Sequence, residues 1–310
     1  FKIRPAWNLK KMIHVPVLKK EVLEYLDPKS NENFVDCTVG EGGHTEIILE
    51  KTGPAGKVLG IDLDPQQVEN CKLNLARFGD RAVIQNDSYI NLKEITERKN
   101  FGLVNGILLD LGMSSAQLEG TDKGFSFQVD QGIDMRYNDN TGYFTAEKIV
   151  NEYPYEKLEE ILREYGEEKF SKKIAKNIVE QRKQGRIKTT FELIEIIKDA
   201  THSAYWRGKI HYATRTFQAL RIAVNDELHN LEKVLPQAIS ILAPKGKIVI
   251  ISFHSLEDRI VKNFLRQAEK NKTIKILTKK PVIASLDEKK INARARSAKL
   301  RAACLPSGRL

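Results

Sequence analysis

The feature that most constrains this chain is the stretch Phe34-Val35-Asp36-Cys37-Thr38-Val39-Gly40-Glu41-Gly42-Gly43-His44. It opens as an apolar, β-branched run, which reads as a buried strand. Three glycines then fall within four positions, and Thr45-Glu46-Ile47-Ile48-Leu49 follows with the look of a helix start. The reading is strand, tight glycine turn, helix. Such a turn lets a ligand approach bare backbone, and the helix N-terminus offers it unpaired N–H groups. The dinucleotide fingerprint G-x-G-x-x-G is not met, because Thr45 occupies the third glycine position. Taken alone, the loop is also compatible with a purely structural turn.

The segments around it narrow the choice. Val15 to Leu26 carries apolar residues at helical spacing, with Pro16 in its early turn. Lys57 to Asp62 is a second strand that ends on a carboxylate, 22 residues beyond Gly40. An acid at about that distance is placed to accept hydrogen bonds from ribose hydroxyls. Asp64 competes for that role, and Pro65 opens a helix that runs to Phe78. Arg81 to Gln85 is a third strand, followed by the loop Asn86-Asp87-Ser88-Tyr89, and Val104 to Asp110 is a fourth strand ending on an acid. Strands alternating with helices predict a parallel, doubly wound sheet. Ligands of such sheets bind at the carboxyl ends of the strands. Asp36, Asp62, Tyr89 and Asp110 all fall there.

Beyond Asp110 the rhythm changes. Leu111 to Gly142 is rich in Gly, Asp, Ser and Asn, and Phe125, Phe127 and Met135 within it predict an ordered loop. Thr145 to Thr201 reads as helical. From Lys169 to Lys188 there are eight Lys or Arg and one Glu. Tyr205-Trp206-Arg207-Gly208-Lys209-Ile210-His211-Tyr212 interleaves aromatic and basic residues, with Arg215 and Arg221 close behind. That mixture suits phosphate contacts and base stacking; a solvated face and core aromatics are the plain alternatives. The sheet rhythm then resumes with a helix over 226–242, a strand over 247–252, a helix over 256–270 and a strand over 273–278. Lys299 to Leu305 predicts a last, antiparallel strand. The helical block is therefore an insertion, expected over 128–215, that splits a main domain into 12–127 and 216–310. Residues 1–11 are expected to be a flexible N-terminal extension.

Composition adds the partner class. The net charge of the 310 residues is +10, which points to a polyanion, nucleic acid first. Cys37, Cys71 and Cys304 lie far apart, which offers no metal-ligand spacing and suits a reducing cytoplasm. No apolar run approaches the length of a membrane span.

The glycine loop resembles the acidic-x-G-x-G-x-G loop of S-adenosylmethionine (SAM) methyltransferases, with Thr38 in place of the first glycine. Further motifs extend the likeness. They are Ile107-Leu-Leu-Asp-Leu-Gly-Met-Ser-Ser115 with Gln117, Gly124-Phe-Ser-Phe127, Asp134-Met-Arg136, Tyr165-Gly-Glu-Glu-Lys169, Ala213-Thr-Arg-Thr-Phe-Gln-Ala219, Ser252-Phe-His-Ser-Leu-Glu-Asp-Arg259 and Arg294-Ala-Arg-Ser297. Together, from His14 to about Ala303, they resemble the MraW/RsmH methyltransferases. The resemblance implies a class I, Rossmann-like α/β fold, mostly parallel with one antiparallel strand, and an inserted all-helical domain. It implies SAM as cofactor and a cytosine N4 amine of small-subunit (16S) ribosomal RNA, or of the 30S subunit, as substrate. Gly40, Gly42, Gly43 and His44 would meet SAM through the loop, Asp62 would hold the ribose, and Tyr89 would stand where the family has Phe beside the adenine. Asp110 and Gln117 would complete the set. The protein would work without metal or membrane, as a monomer or homodimer.

An exocyclic cytosine amine is a poor nucleophile, so transfer needs in-line positioning, a hydrogen-bond acceptor on the amine and a route for its proton. Asp110 is the first candidate for that acceptor, with a purely SAM-binding role as its alternative. His254, in the loop after the fifth strand, is the second, with loop ordering as its alternative. Lys172, Lys173, Lys176 and Arg215 are the candidate RNA contacts. Two other functions compete: an RNA-binding assembly factor that uses SAM structurally, and a DNA amino-methyltransferase. The acidic- or polar-Pro-Pro-aromatic motif of many amino-methyltransferases is replaced here by Asp110-Leu111-Gly112-Met113.

Overall fold

The computed structural model describes residues 16–113, 122–139, 142, 144–208 and 210–307; residues 1–11 and Gln117 lie outside them. The strands are β1 (Phe34–Asp36), β2 (Val58–Asp62), β3 (Ala82–Asn86), β4 (Val104–Asp110), β5 (Leu242–Ser252), β6 (Lys275–Ile276), β7 (Val282–Ile283) and β8 (Lys299–Cys304). They form one sheet in the order β3-β2-β1-β4-β5-β8-β6, with β7 also on β8. The pairs from β3 to β5 are parallel, and β8 runs antiparallel to β5, β6 and β7. The expected antiparallel strand at the end of the chain is thus present as β8.

Successive residues of a strand face opposite sides, and the sequence loads both sides with apolar groups. Val35, Ile107, Leu109, Ile248 and Ile250 face one core, shared with α4 (Leu92–Arg98), α11 (Glu227–Ile241) and α12 (Ser255–Lys270). Phe34, Leu108, Val249 and Ile251 face the other, closed by α1 (Lys19–Leu26), α2 (Gly43–Lys51) and α3 (Pro65–Leu75). Gly106 is bare because Phe34 lies against it: a Cβ there would come within 2.5 Å of the ring.

Between β4 and β5 a separate apolar cluster gathers Phe125, Met135, Leu158, Ile174, Leu193 and Phe217. It is built by α5 (Ala146–Glu152), α6 (Tyr155–Glu164), α7 (Ser171–Gln181), α8 (Thr190–Ala200) and α10 (Thr214–Asn225), with the short α9 (Ser203–Trp206) beside them. Thr189 starts α8 with a capping box, its hydroxyl accepting from Glu192 N–H while the Glu192 carboxylate accepts the Thr189 N–H in return. The loop residues Phe125 and Met135 are buried, and Phe127 packs against the cluster.

The structure corrects several element boundaries. The first helix starts at Lys19, not near Val15, because Leu18 is left-handed (φ 55°) and donates its N–H to Glu288 Oε1 at 2.7 Å. β5 begins at Leu242; Pro244-Lys245-Gly246 is a register shift within it, with Lys245 at φ 63°. The strand expected over 273–278 shrinks to Lys275–Ile276. β7 and the helix α13 (Leu286–Ile291) are additions to the expected elements. Among the described residues no helix is long and apolar enough to cross a membrane.

Candidate active site

The carboxyl ends of β1, β2 and β4 open into one cleft of about 1190 Å³, open mouth included. Gly40, Gly43, His44, Asp62, Tyr89 and Asp110 all line it. The parallel register sets this meeting: Asp36 pairs with Gly60 and with Leu108, so Asp62 and Asp110 stand level with one another, each two residues beyond the height of Asp36.

Each acid is held differently. Asp36 is fully buried beneath the cleft; it accepts the Thr45 hydroxyl at 2.8 Å and the Thr38 N–H at 3.2 Å. Burial, partly offset by the nearby His44, holds its carboxyl above the usual range. Asp62 accepts Gly40 N–H and Asp64 N–H, each at 2.9 Å, so it ties the glycine loop to its own strand end. Burial outweighs those bonds and pushes its pKa up to about 6. Asp64, the competitor, is spent on capping α3, where it accepts from Gln66 N–H and Gln67 N–H. Asp110 donates its N–H to Thr38 Oγ1 at 2.7 Å. Its Oδ2 stands 3.4 Å from His44 Nε2, and its Oδ1 is buried without a hydrogen-bond partner among the described residues. Tyr89 opens a short 3₁₀ turn beside the cleft, and burial drives its hydroxyl well above the usual range.

The glycines do separate jobs. Gly40 (φ 51°) lines the cleft, and the nearest atom to a Cβ there is 3.9 Å away. Gly42 (φ 92°) faces away from it; a Cβ would meet Leu75 at 3.0 Å and Cys71 at 3.1 Å on α3. The missing side chain at Gly42 lets the loop pack on α3.

His254 stands behind the cleft wall, its Nε2 3.1 Å from Oε1 of the lining residue Glu257. It is the N-cap of α12, its Nδ1 accepting Glu257 N–H at 3.4 Å, and it does not line the cleft. Lys172, Lys173 and Lys176 lie exposed on α7, opposite the buried Ile174, Ala175 and Ile178. Arg215 is bound to the Glu167 carbonyl.

Sequence reasoning missed the far wall: Tyr137, Asn225, Glu227, Asn230, Phe253 and Glu257. Glu227 accepts the Tyr137 hydroxyl at 2.8 Å and takes Arg221 through both oxygens, at 2.8 and 3.0 Å. Glu257 accepts Phe253 N–H at 2.8 Å. Glu227, His254 and Glu257 lie close enough to suggest a metal site. Glu227 is paired with Arg221 and Glu257 accepts the Phe253 and His254 N–H groups, while His254 Nε2, 3.1 Å from Glu257 Oε1, has no hydrogen-bond partner among the described residues. Two motifs carry the signal for this wall: Ser252–Arg259 contains Phe253 and Glu257, and Asp134–Arg136 directly precedes Tyr137.

With this geometry in place, comparison with known proteins decides the family. Residues 11–304 match the MraW methylase family. The chain belongs to that family. A ribosomal RNA small subunit methyltransferase H from Heliobacterium mobile is 44% identical over 306 residues, covering 94% of this chain and 98% of the relative. Its namesake from Kosmotoga olearia is 47% identical over 292 residues, covering 94% and 96%. This member of the MraW family has the mostly parallel, Rossmann-like sheet of class I SAM methyltransferases, and its glycine loop, Asp62 and Asp110 share one cleft.

Replacing Gly42 by Ala adds a clash to a left-handed backbone. It should cost roughly 1–3 kcal/mol of stability, against about 1 kcal/mol for Gly40→Ala, which meets only open space. Denaturant midpoints of the two variants check the order; equal midpoints would remove Gly42 from the packing of α3.

Proposed function

We propose that the protein transfers a methyl group from SAM to the N4 amine of a cytosine in small-subunit ribosomal RNA. The observation that carries this reading is the cleft itself. Asp62 and the glycine loop form one side, and Asp110 the other, with a buried carboxylate oxygen that no donor among the described residues satisfies. A buried acceptor without a partner is costly unless a ligand supplies the donor.

In this reading the loop backbone at Gly40, Gly43 and His44 receives the methionine end of SAM. Asp62 accepts from the ribose hydroxyls; each of its oxygens already takes one N–H and keeps a lone pair. Tyr89 packs beside the adenine. Gln117 lies outside the described residues. SAM supplies an electrophilic methyl on a sulfonium. Asp110 accepts a hydrogen bond from the target amine, directs its lone pair at the methyl, and takes up the proton that turns acidic as the N–C bond forms and the C–S pair returns to sulfur. The amine is paired in a duplex, so the cytosine must be unpaired or flipped out. The protein would act on ribosomal RNA in the cytoplasm.

The helical insertion would grip the RNA. Lys172, Lys173 and Lys176 supply phosphate contacts. Phe127, His211 and Tyr212 form a run of stacked rings (4.6 and 4.2 Å between centroids), and Trp206 lies 6.1 Å from Tyr212. His211 and Trp206 are exposed and Phe127 and Tyr212 half-buried, and ring stacks that reach the surface suit unpaired bases. Arg215, bound to the Glu167 carbonyl, would shape this surface from behind rather than reach a phosphate first.

Three outcomes are expected. Asp110→Asn keeps the shape and one acceptor but loses the charge. It should bind SAM within a few-fold of the parent and lose roughly 10²-fold or more in single-turnover transfer of a tritiated methyl to ribosomal RNA. A variant with full transfer would mean that positioning alone drives the reaction.

The raised pKa of Asp62, about 6, has a sign that can be checked. Above that pH the carboxylate is ionised and ready for ribose; below it a proton must leave before SAM binds. If only the ionised form binds, affinity should fall about tenfold between roughly pH 7 and pH 5, and Asp62→Asn should flatten that dependence. Calorimetry at the two pH values decides; a parent protein with no pH dependence would sink the ribose assignment.

Changing Lys172, Lys173 and Lys176 together to Gln should weaken RNA binding and reduce the salt slope by about one unit for each phosphate left unneutralised. An unchanged slope would make the insertion structural only.

A further inference from the structure

Four buried polar atoms on the cleft wall lack a hydrogen-bond partner among the described residues: both ring nitrogens of His44, Asp110 Oδ1 and Gln67 Oε1. Three of the four belong to one pair. The His44 and Asp110 side chains are only 6% and 15% exposed, with Nε2 3.4 Å from Oδ2. We propose that the His44 imidazole is a positioning residue for Asp110: its Nε2–H donates to Oδ2 and leaves Oδ1 as the oxygen offered to the target amine. The inference rests on the role of Asp110 as acceptor for that amine and adds a task that the His44 backbone cannot perform.

Three observations carry it. First, the imidazole has no competing job in the helix. His44 lies in the first turn of α2, and neither ring nitrogen has a hydrogen-bond partner among the described residues. Second, the other carboxylate near the ring already has a donor on each oxygen, whereas Asp110 has none on its Oδ1 among the described residues. Asp36 spends one oxygen on the Thr45 hydroxyl and the other on the Thr38 N–H. Third, the Asp110 main chain is fixed by its N–H to Thr38 Oγ1 at 2.7 Å, yet His44 is the one described residue that pairs with its carboxylate. The backbone clamp sets where the side chain begins and leaves its rotation open. A donor on Oδ2 closes that freedom. The 3.4 Å spacing is long for a hydrogen bond, as catalytic contacts commonly are before a ligand closes the site.

The geometry also separates two uses of one residue. The His44 N–H belongs to the free amides of a helix start, where it can meet the cofactor. The imidazole points at the acid that meets the substrate. A contact with SAM alone would make the ring matter for binding; a hold on Asp110 makes it matter for the rate.

The test compares His44→Leu, which removes the donor, with His44→Gln, whose side-chain amide returns an N–H at similar reach. Calorimetry with SAM and single-turnover methyl transfer to ribosomal RNA are read for each, alone and with Asp110→Asn. His44→Leu should transfer about 10- to 100-fold more slowly with SAM affinity within about threefold of the parent, and His44→Gln should recover most of the rate. On the Asp110→Asn background His44→Leu should cost nothing more, because the two act as one unit. SAM affinity falling as far as the rate, His44→Gln no faster than His44→Leu, or losses that multiply in the double variant would each overturn the proposal. Full transfer by Asp110→Asn alone would overturn the reading of Asp110 and this inference with it. A slow Asp110→Asn beside an unimpaired His44→Leu would overturn this inference only.

Discussion

Everything at the site depends on burying three carboxylates at one end of a parallel sheet. Asp36, Asp62 and Asp110 end neighbouring strands, and proximity raises the cost of each charge: Asp110 and Asp36 oppose one another, as do Asp36 and Asp62. Charges so placed are tolerated when donors surround them. The glycine loop is built to supply those donors. It turns Thr38 N–H and the Thr45 hydroxyl onto Asp36 and Gly40 N–H onto Asp62, and it offers Thr38 Oγ1 to the Asp110 main chain. Two acids are thereby satisfied by the protein. The third keeps an oxygen in reserve.

The far wall of the cleft follows a different logic. It is shared between the two cores: Tyr137 and Asn225 come from the inserted side, Glu227 and Asn230 from the start of α11, and Phe253 and Glu257 from the segment after β5. Asn225 accepts Tyr137 N–H at 3.0 Å and donates to the Met135 carbonyl at 2.8 Å, fixing the irregular loop on the end of α10. Glu227 then joins Tyr137 to Arg221. A second join lies at Glu167, in left-handed conformation at φ 47°, whose carboxylate takes the Ser255 hydroxyl and Arg259 (2.7 Å) from the start of α12. Both joins tie the insertion to the segments around β5, so the inserted helices and the cleft are positioned against one another by hydrogen bonds that a small shift would break.

This division explains what the sequence could reveal. The first half of the sheet was legible because its strands are short apolar runs that end on acids or turns, and parallel pairing leaves little choice about where those ends meet. The near wall of the site was legible for the same reason. The boundaries that failed involve residues whose backbone contradicts their side-chain pattern: Leu18 has the apolar identity of a helix position but a left-handed φ. β6 and β7, two residues each, carry no periodic signal at all. Tyr137, Asn225, Glu227 and Asn230 were illegible because polar residues in a loop and at helix ends look like surface until folding turns them inward. The packing role of Gly42 was illegible because a glycine spared for packing and one spared for a ligand are the same letter.

The sign of the charge differs between the inside of the cleft and the outside of the molecule, and the proposed chemistry gives that contrast a use. The chain as a whole carries +10, and Lys172, Lys173 and Lys176 stand exposed. The cleft instead gathers Glu41, Asp62, Asp110, Glu227 and Glu257 on its wall, with Asp36 beneath, against Arg294 on the same wall and Arg221 paired with Glu227. A polyanion is drawn to the exterior and repelled from the cleft except where its base is turned in. A sulfonium cofactor, which carries a net positive charge, is favoured inside. Once the methyl leaves, the sulfur is neutral and that attraction weakens, so the acids that help load the donor also help release what remains of it. In the proposed reaction the same field would act on the amine: the positive charge that develops on nitrogen as its bond to carbon forms would arise beside the Asp110 side chain, and a group aimed there would lower the energy of the transition state more than that of the neutral base that entered.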